Sequence, residues 1–147
     1  MNTNKPSKNK FRVSSFIKFW LPTFFWTVVV CYLSLTDSGL PGIKFRFILE
    51  SDKYAHIAIY FVLTLLLIRS WANAFSTIKI NYLLFFASVQ SISYGILMEV
   101  LQKLLTHSRH FDLKDIYANI FGSIAAVIAY ILYQRFYSKE NSDIKSQ

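Results

Sequence analysis

Cysteine is almost missing from this chain. Cys31 is its only one, so no intrachain disulfide exists, and its place in an apolar stretch marks it as a small buried side chain. Glycine is nearly as scarce, occurring only at positions 39, 42, 95 and 122, which leaves no glycine-rich phosphate loop and no nucleophile elbow. No zinc-protease helix is present either, so the common signatures of soluble-enzyme chemistry are excluded. Acidic residues are the third shortage: 8 Asp and Glu stand against 16 Lys and Arg, for a formal net charge of +8. That excess sits in tails and a short loop beside apolar runs, with no nucleic-acid motif. It reads as a topological signal and an attraction to anionic lipid, not as a nucleic-acid surface.

Apolar side chains fill the space that these absences leave. The 147 residues are 54% hydrophobic and 18% aromatic, with a mean hydropathy of +0.35, too apolar for a soluble domain of this length. A membrane-crossing helix needs about 20 mainly apolar residues. Four stretches qualify, at about 16–35, 54–71, 82–101 and 116–136, separated by short polar segments. The expected fold is an all-α integral membrane four-helix bundle over residues 16–137, flanked by polar, low-complexity tails at 1–15 and 138–147 for which disorder is expected. Pro22 falls near the start of the first span, where a missing N–H costs little. Lys5, Lys8, Lys10 and Arg12 precede that span as they would a signal peptide, but its apolar part is too long and Ser34, Leu35 and Thr36 make a poor cleavage site. A retained first helix is expected.

Charge sets the orientation. Lys5, Lys8, Lys10, Arg12, Lys18, Arg69, Lys79, Arg135, Lys139 and Lys145 fall on one side with only Glu140 and Asp143 for acids. On the other side Lys44, Arg46, Lys53, Lys103, Arg109 and Lys114 are balanced by Asp37, Glu50, Asp52, Glu99, Asp112 and Asp115. Lys and Arg are retained on the cytoplasmic face of short loops, so both termini of this multi-pass protein are expected there.

The unusual polar residues gather at the opposite end. Asp52 and His56 share a helix face, with Tyr60 one turn further. Glu99 and Gln102 close the third span, and Asp112, Asp115 and Asn119 form a stripe entering the fourth, continued by Gly122 and Ala126. A carboxylate at the depth of Glu99 costs at least a few kcal/mol unless it faces protein, water or a partner. Lys53, His56, Arg109 and Lys114 are the available partners, and a purely structural pairing is one outcome; for Asn119 the structural alternative is an interhelical hydrogen bond of about 1 kcal/mol. Gly122 with Ala126 is a small-xxx-small pattern for close helix packing. The run "HSRHFDLKD", His107 to Asp115, carries donors that with His56 and Glu99 would suit a metal, but the spacing matches no metal motif. A solvated interfacial loop, with no metal and no cofactor, is the expectation.

The segments "SDKYAHIAIYFVLTLLL" and "YGILMEVLQKLLTHSRHFDLKDIYANIFGSIAAVIAY" resemble the VanZ-like family of small bacterial membrane proteins. The shared positions are Asp52, Lys53 and His56; Gly95, Glu99 and Gln102; then Arg109, Asp112, Asp115, Asn119 and Gly122. The likeness covers about Asp52 to Tyr133 by motif and the first span by architecture. It implies an envelope role, the family's namesake being linked to low-level resistance to the glycopeptide antibiotic teicoplanin, but it names no reaction.

Three functions stay open at this point. One is a binding or accessory protein whose outer-face site, built from Asp52, Lys53, His56, Glu99, Gln102, Arg109, Asp112, Asp115 and Asn119, engages an envelope lipid, a lipid-linked wall precursor or an amphiphilic glycopeptide. There Lys53 and Arg109 would meet phosphate, Arg109 by a two-pronged contact. The second is a membrane-embedded hydrolase or transferase with Glu99 or Asp112 as base and His56 as acid. The third is a structural protein whose polar cluster only locks helices together.

Overall fold

A computed structural model describes the backbone of residues 8–36, 52–106 and 112–145, and the side chains of 16–36, 53–106 and 112–138. Four helices follow one another: α1 Lys8–Leu35, α2 Asp52–Ala74, α3 Ile80–Leu105 and α4 Leu113–Lys145. Each contains a segment long and apolar enough to span a membrane, namely Phe16–Leu35, Lys53–Ala74, Ile80–Leu105 and Leu113–Ser138. The chain is an all-α multi-pass membrane bundle, with no strand among the described residues.

Helical backbone reaches beyond the spans at both ends of the sequence. α1 starts at Lys8 and α4 runs to Lys145, inside stretches whose polar composition points to disorder. No proline or glycine interrupts the chain after Gly122, and Lys, Glu and Gln are good helix formers, so polarity alone does not stop α4.

Specific hydrogen bonds fix the register. Trp26 Nε1 donates to the Ile59 carbonyl at 3.2 Å and Ser70 Oγ to the Phe19 carbonyl at 2.9 Å, so α1 and α2 run antiparallel. Thr64–Ser91 together with His56–Glu99, and Ser123–Ser91 together with Asn119 beside Gly95, make α2/α3 and α3/α4 antiparallel as well. α2 and α4 are parallel neighbours, joined by His56 and Asn119. α2 and α3 each pack against all three other helices, whereas α1 and α4 do not meet in the described residues.

Polarity is inverted relative to a water-soluble bundle. Phe24, Phe25, Phe85, Phe86, Tyr117 and Phe121 are exposed, while Thr23, Thr64, Ser70, Ser91, Glu99, Asn119 and Ser123 are buried beside an apolar core of Val30, Tyr60, Leu63, Leu67, Ile68, Leu84 and Ala87. Between helices lipid offers no hydrophobic gain, so small and hydrogen-bonding residues go to the contacts and large apolar ones face the tails. Midway along the bundle, Thr64 Oγ1 lies 2.9 Å from Ser91 Oγ, and Ser123 Oγ lies 3.2 Å from the same atom. One hydroxyl from each of α2, α3 and α4 thus meets in a fully buried layer.

Pro22 is interior to α1, not at its first turn as the apolar run implies, because the helix begins well before that run. Proline removes the bond to the carbonyl four residues back and crowds that turn. The neighbouring Phe19 carbonyl accepts from Ser70, whose oxygen lies 2.7 Å from Thr23 Oγ1. A hydroxyl from the adjacent helix supplies polar contact where α1 is weakened, as membrane helices with internal proline require. Around this end Trp20, Trp71, Phe75 and Phe16 stack or meet edge-on, and the Arg69 guanidinium lies over the Phe19 ring at 5.4 Å. Such aromatic and basic residues suit a membrane–water boundary.

Candidate functional site

The first turns of α2 and α4 and the last turns of α3 lie at the other end of the bundle. Their alignment follows from the antiparallel register, and it brings together three of the stripes legible in the sequence. His56 projects from α2, Glu99 from α3, and Asp115 and Asn119 from α4. His56 Nδ1 lies 2.9 Å from Asn119 Oδ1 and 3.9 Å from Glu99 Oε1, while Nε2 lies 3.9 Å from Asp115 Oδ2. Glu99 and Asn119 are each 1% exposed, and Asp115 is 8% exposed.

Two glycines make the arrangement possible. A Cβ on Gly95 would lie 2.8 Å from Asn119 Nδ2 and 3.0 Å from Tyr60 Cε1, so α3 is bare where the Asn119 amide and the Tyr60 ring pass. A Cβ on Gly122 would land on the Ile57 carbonyl oxygen. α4 therefore approaches the α2 backbone directly, one residue after His56. The Tyr60 ring lies nearly parallel to the imidazole, at 5° with centroids 6.4 Å apart, and forms the inner floor of the site. Ala126 is fully buried one turn beyond Gly122.

The remaining predicted residues divide. Gln102 is buried, and its amide nitrogen donates to the Ser34 carbonyl at 3.0 Å, tying the end of α1 to α3. Asp112 Oδ1 accepts from the Lys114 amide at 2.8 Å, which makes Asp112 the N-cap of α4. Lys53 and Lys114 are exposed, one turn before His56 and one residue before Asp115. Asp52 is the first residue of α2, its side chain outside the described residues, as is the whole of Arg109. Among the described residues, His56 Nδ1 lies 3.9 Å from Glu99 Oε1.

Spacing missed the hydroxyl layer beneath the site. Thr64 lies one turn past Tyr60 and bonds its carbonyl at 2.8 Å, and Ser123 lies one turn past Asn119 and bonds that carbonyl at 3.0 Å. Extending the His56–Tyr60 and Asp115–Asn119 stripes by four residues finds both. Tyr94, whose hydroxyl donates to the Thr27 carbonyl at 2.6 Å, carried no such signal.

Chemically, the site is a buried imidazole between carboxylates, held from one side by an amide. It can accept or pass a proton, receive a hydroxyl or ammonium group, or ligate a cation. The exposed lysines at its rim suit an anion. Comparison with protein-family models, curated proteins and solved structures finds no match to this chain.

Proposed function

We propose that this is a VanZ-like protein of a bacterial cytoplasmic membrane, with both termini in the cytoplasm, whose extracytoplasmic polar end binds the headgroup of an envelope lipid or lipid-linked wall precursor. An amphiphilic glycopeptide is a further ligand of the same chemistry. The observation that carries the reading is the meeting of His56, Glu99, Asp115 and Asn119 at one end of the bundle, beneath exposed Lys53 and Lys114. In it the lysines and Arg109 meet phosphate, and the acids and amides meet sugar or peptide groups. The basic excess at the opposite end supports the orientation.

A ligand that binds only the folded state raises stability, by about 2.7 kcal/mol at a hundred times its Kd. Polyprenyl-phosphate lipid added to the purified protein in detergent should raise its Tm, and Arg109→Ala and Glu99→Gln should abolish that rise. An unchanged rise in both variants overturns the proposal. A second reading, a hydrolase or transferase acting on a lipid-linked substrate, draws support from the imidazole lying 3.9 Å from Asp115. Turnover of radiolabelled polyprenyl-phosphate lipids by wild type but not by His56→Ala would favour it over binding alone.

A further inference from the structure

Charge is one-sided at the end of the bundle away from the polar site. Among the described side chains, the acids Glu99, Asp112 and Asp115 all belong to the polar end, whereas Lys18, Arg69, Lys79 and Arg135 lie at the other. Arg69 differs from the other three in its setting. It falls inside the membrane-spanning segment Lys53–Ala74, is exposed, and has no carboxylate partner among the described residues. We infer that Arg69 heads a seat for one anionic phospholipid of the surrounding bilayer, with its phosphate on the guanidinium and an acyl chain along α2 over Leu65, Val62 and Ala58.

Helix geometry makes the seat. Past Tyr54, the exposed residues of α2 are Ala58, Val62, Arg69 and Asn73, and their spacing of four, seven and four puts them on one stripe. α2 meets its neighbours from its other faces: Ile59 and Ser70 contact α1, the Ile57 carbonyl faces Gly122 of α4, and Thr64 reaches α3. At about 100° per residue the stripe lies on the side away from Thr64, between the edges that meet α1 and α4. Those two helices do not touch in the described residues, so they stand as walls on either side of it. The floor between them is low. Ala58 and Val62 occupy it, whereas α1, α3 and α4 turn rings such as Phe24, Phe85 and Phe121 outward.

Length and charge select the occupant. From Ala58 to Arg69 the helix rises about 16 Å, which is about half of a 30 Å hydrocarbon core and therefore one leaflet. A lipid whose phosphate meets Arg69 has the end of its chain level with Ala58. The guanidinium lies 5.4 Å from the centre of the Phe19 ring on the α1 wall, and its donors suit a two-pronged contact with phosphate. An ionisable side chain within a span is costly unless it is paired or reaches the interface. Lipid phosphate supplies the opposite charge, and the cluster of Trp20, Trp71 and Phe75 sets this end of α2 at the headgroup boundary.

This seat is separate from the polar end, and its test needs no ligand there. Full-length protein, delipidated in detergent, is titrated with dioleoyl phosphatidylglycerol and followed by native mass spectrometry and by Tm. One retained phosphatidylglycerol per chain and a raised Tm are expected. Dioleoyl phosphatidylcholine, whose choline offsets the phosphate charge, should bind several-fold more weakly. Arg69→Gln, which removes the charge, and Val62→Trp, which fills the floor, should each weaken phosphatidylglycerol binding by about tenfold or more. Lys79→Gln, which removes another exposed cation of the same end, and Val89→Trp, on the exposed face of α3, should keep wild-type affinity. Inorganic phosphate alone should not raise the Tm. Wild-type affinity in either Arg69→Gln or Val62→Trp, an equal loss in Lys79→Gln and Arg69→Gln, equal binding of phosphatidylcholine, or full protection by inorganic phosphate would overturn the inference.

Discussion

Replacing Gly122 by alanine adds one methyl group where α4 touches the backbone of α2. The new Cβ would sit on the Ile57 carbonyl oxygen and 3.1 Å from both the carbonyl carbon and Cα of Ile57. Carbon atoms pack at about 3.5–4.0 Å, so α4 must retreat by roughly 0.4–0.9 Å even before the oxygen is cleared. Nothing at this contact is a flexible side-chain end. Overpacking costs typically about 1–3 kcal/mol, and a backbone-against-backbone clash belongs at the upper limit. Alanine returns about 1 kcal/mol through helix propensity, which leaves a net loss of about 2 kcal/mol. Gly95→Ala is the internal control. Its Cβ would meet Asn119 Nδ2 at 2.8 Å, Tyr60 Cε1 at 3.0 Å and Asn119 Cβ at 3.2 Å, so side chains and not a backbone must give way, and a smaller loss than at Gly122 is expected. Reversible unfolding of the two variants in mixed micelles gives the comparison. If Gly122→Ala lies within about 0.5 kcal/mol of wild type, or Gly95→Ala is the more damaging, the close α2–α4 approach is wrong.

Ser70→Ala removes the hydroxyl between the Phe19 and Leu66 carbonyls and Thr23 beside Pro22. A loss of about 0.6–1.7 kcal/mol is expected from the same unfolding assay, the range for side-chain hydrogen bonds within membranes. For orientation, reporter fusions at Gly42 and Asp112 should read extracytoplasmic and one at Asn73 cytoplasmic; the reverse pattern would put the candidate site on the wrong face.

The four spans were legible because a membrane demands long apolar runs and the chain carries four of them. Helix ends were less so, since a run's edge marks where lipid stops, not where hydrogen bonding stops; hence Pro22 lies inside α1. Within the site, intervals of three and four placed His56 with Tyr60 and Asp115 with Asn119 on single helix faces. Partner choice was not legible. Nothing in the spacing says that Asn119 goes to His56 and Gln102 to the Ser34 carbonyl, because those pairings depend on helix register. Serines and threonines within apolar spans are common, so nothing in the sequence singles out Ser91, whose neighbours Thr64 and Ser123 follow only from the fold.

The derivation of the polar cluster from α2, α3 and α4 also bears on biogenesis. Helices enter the bilayer in chain order, so Glu99 on α3 is synthesised before Asp115 and Asn119. Until α4 follows, His56 and Glu99 lack their neighbours from that helix, and a carboxylate near hydrocarbon is costly. Lateral release of α2 and α3 from the insertion machinery is therefore expected to wait for α4. A chain truncated after Thr106 should remain accessible to that machinery or to quality-control proteolysis, and the full-length chain should be released.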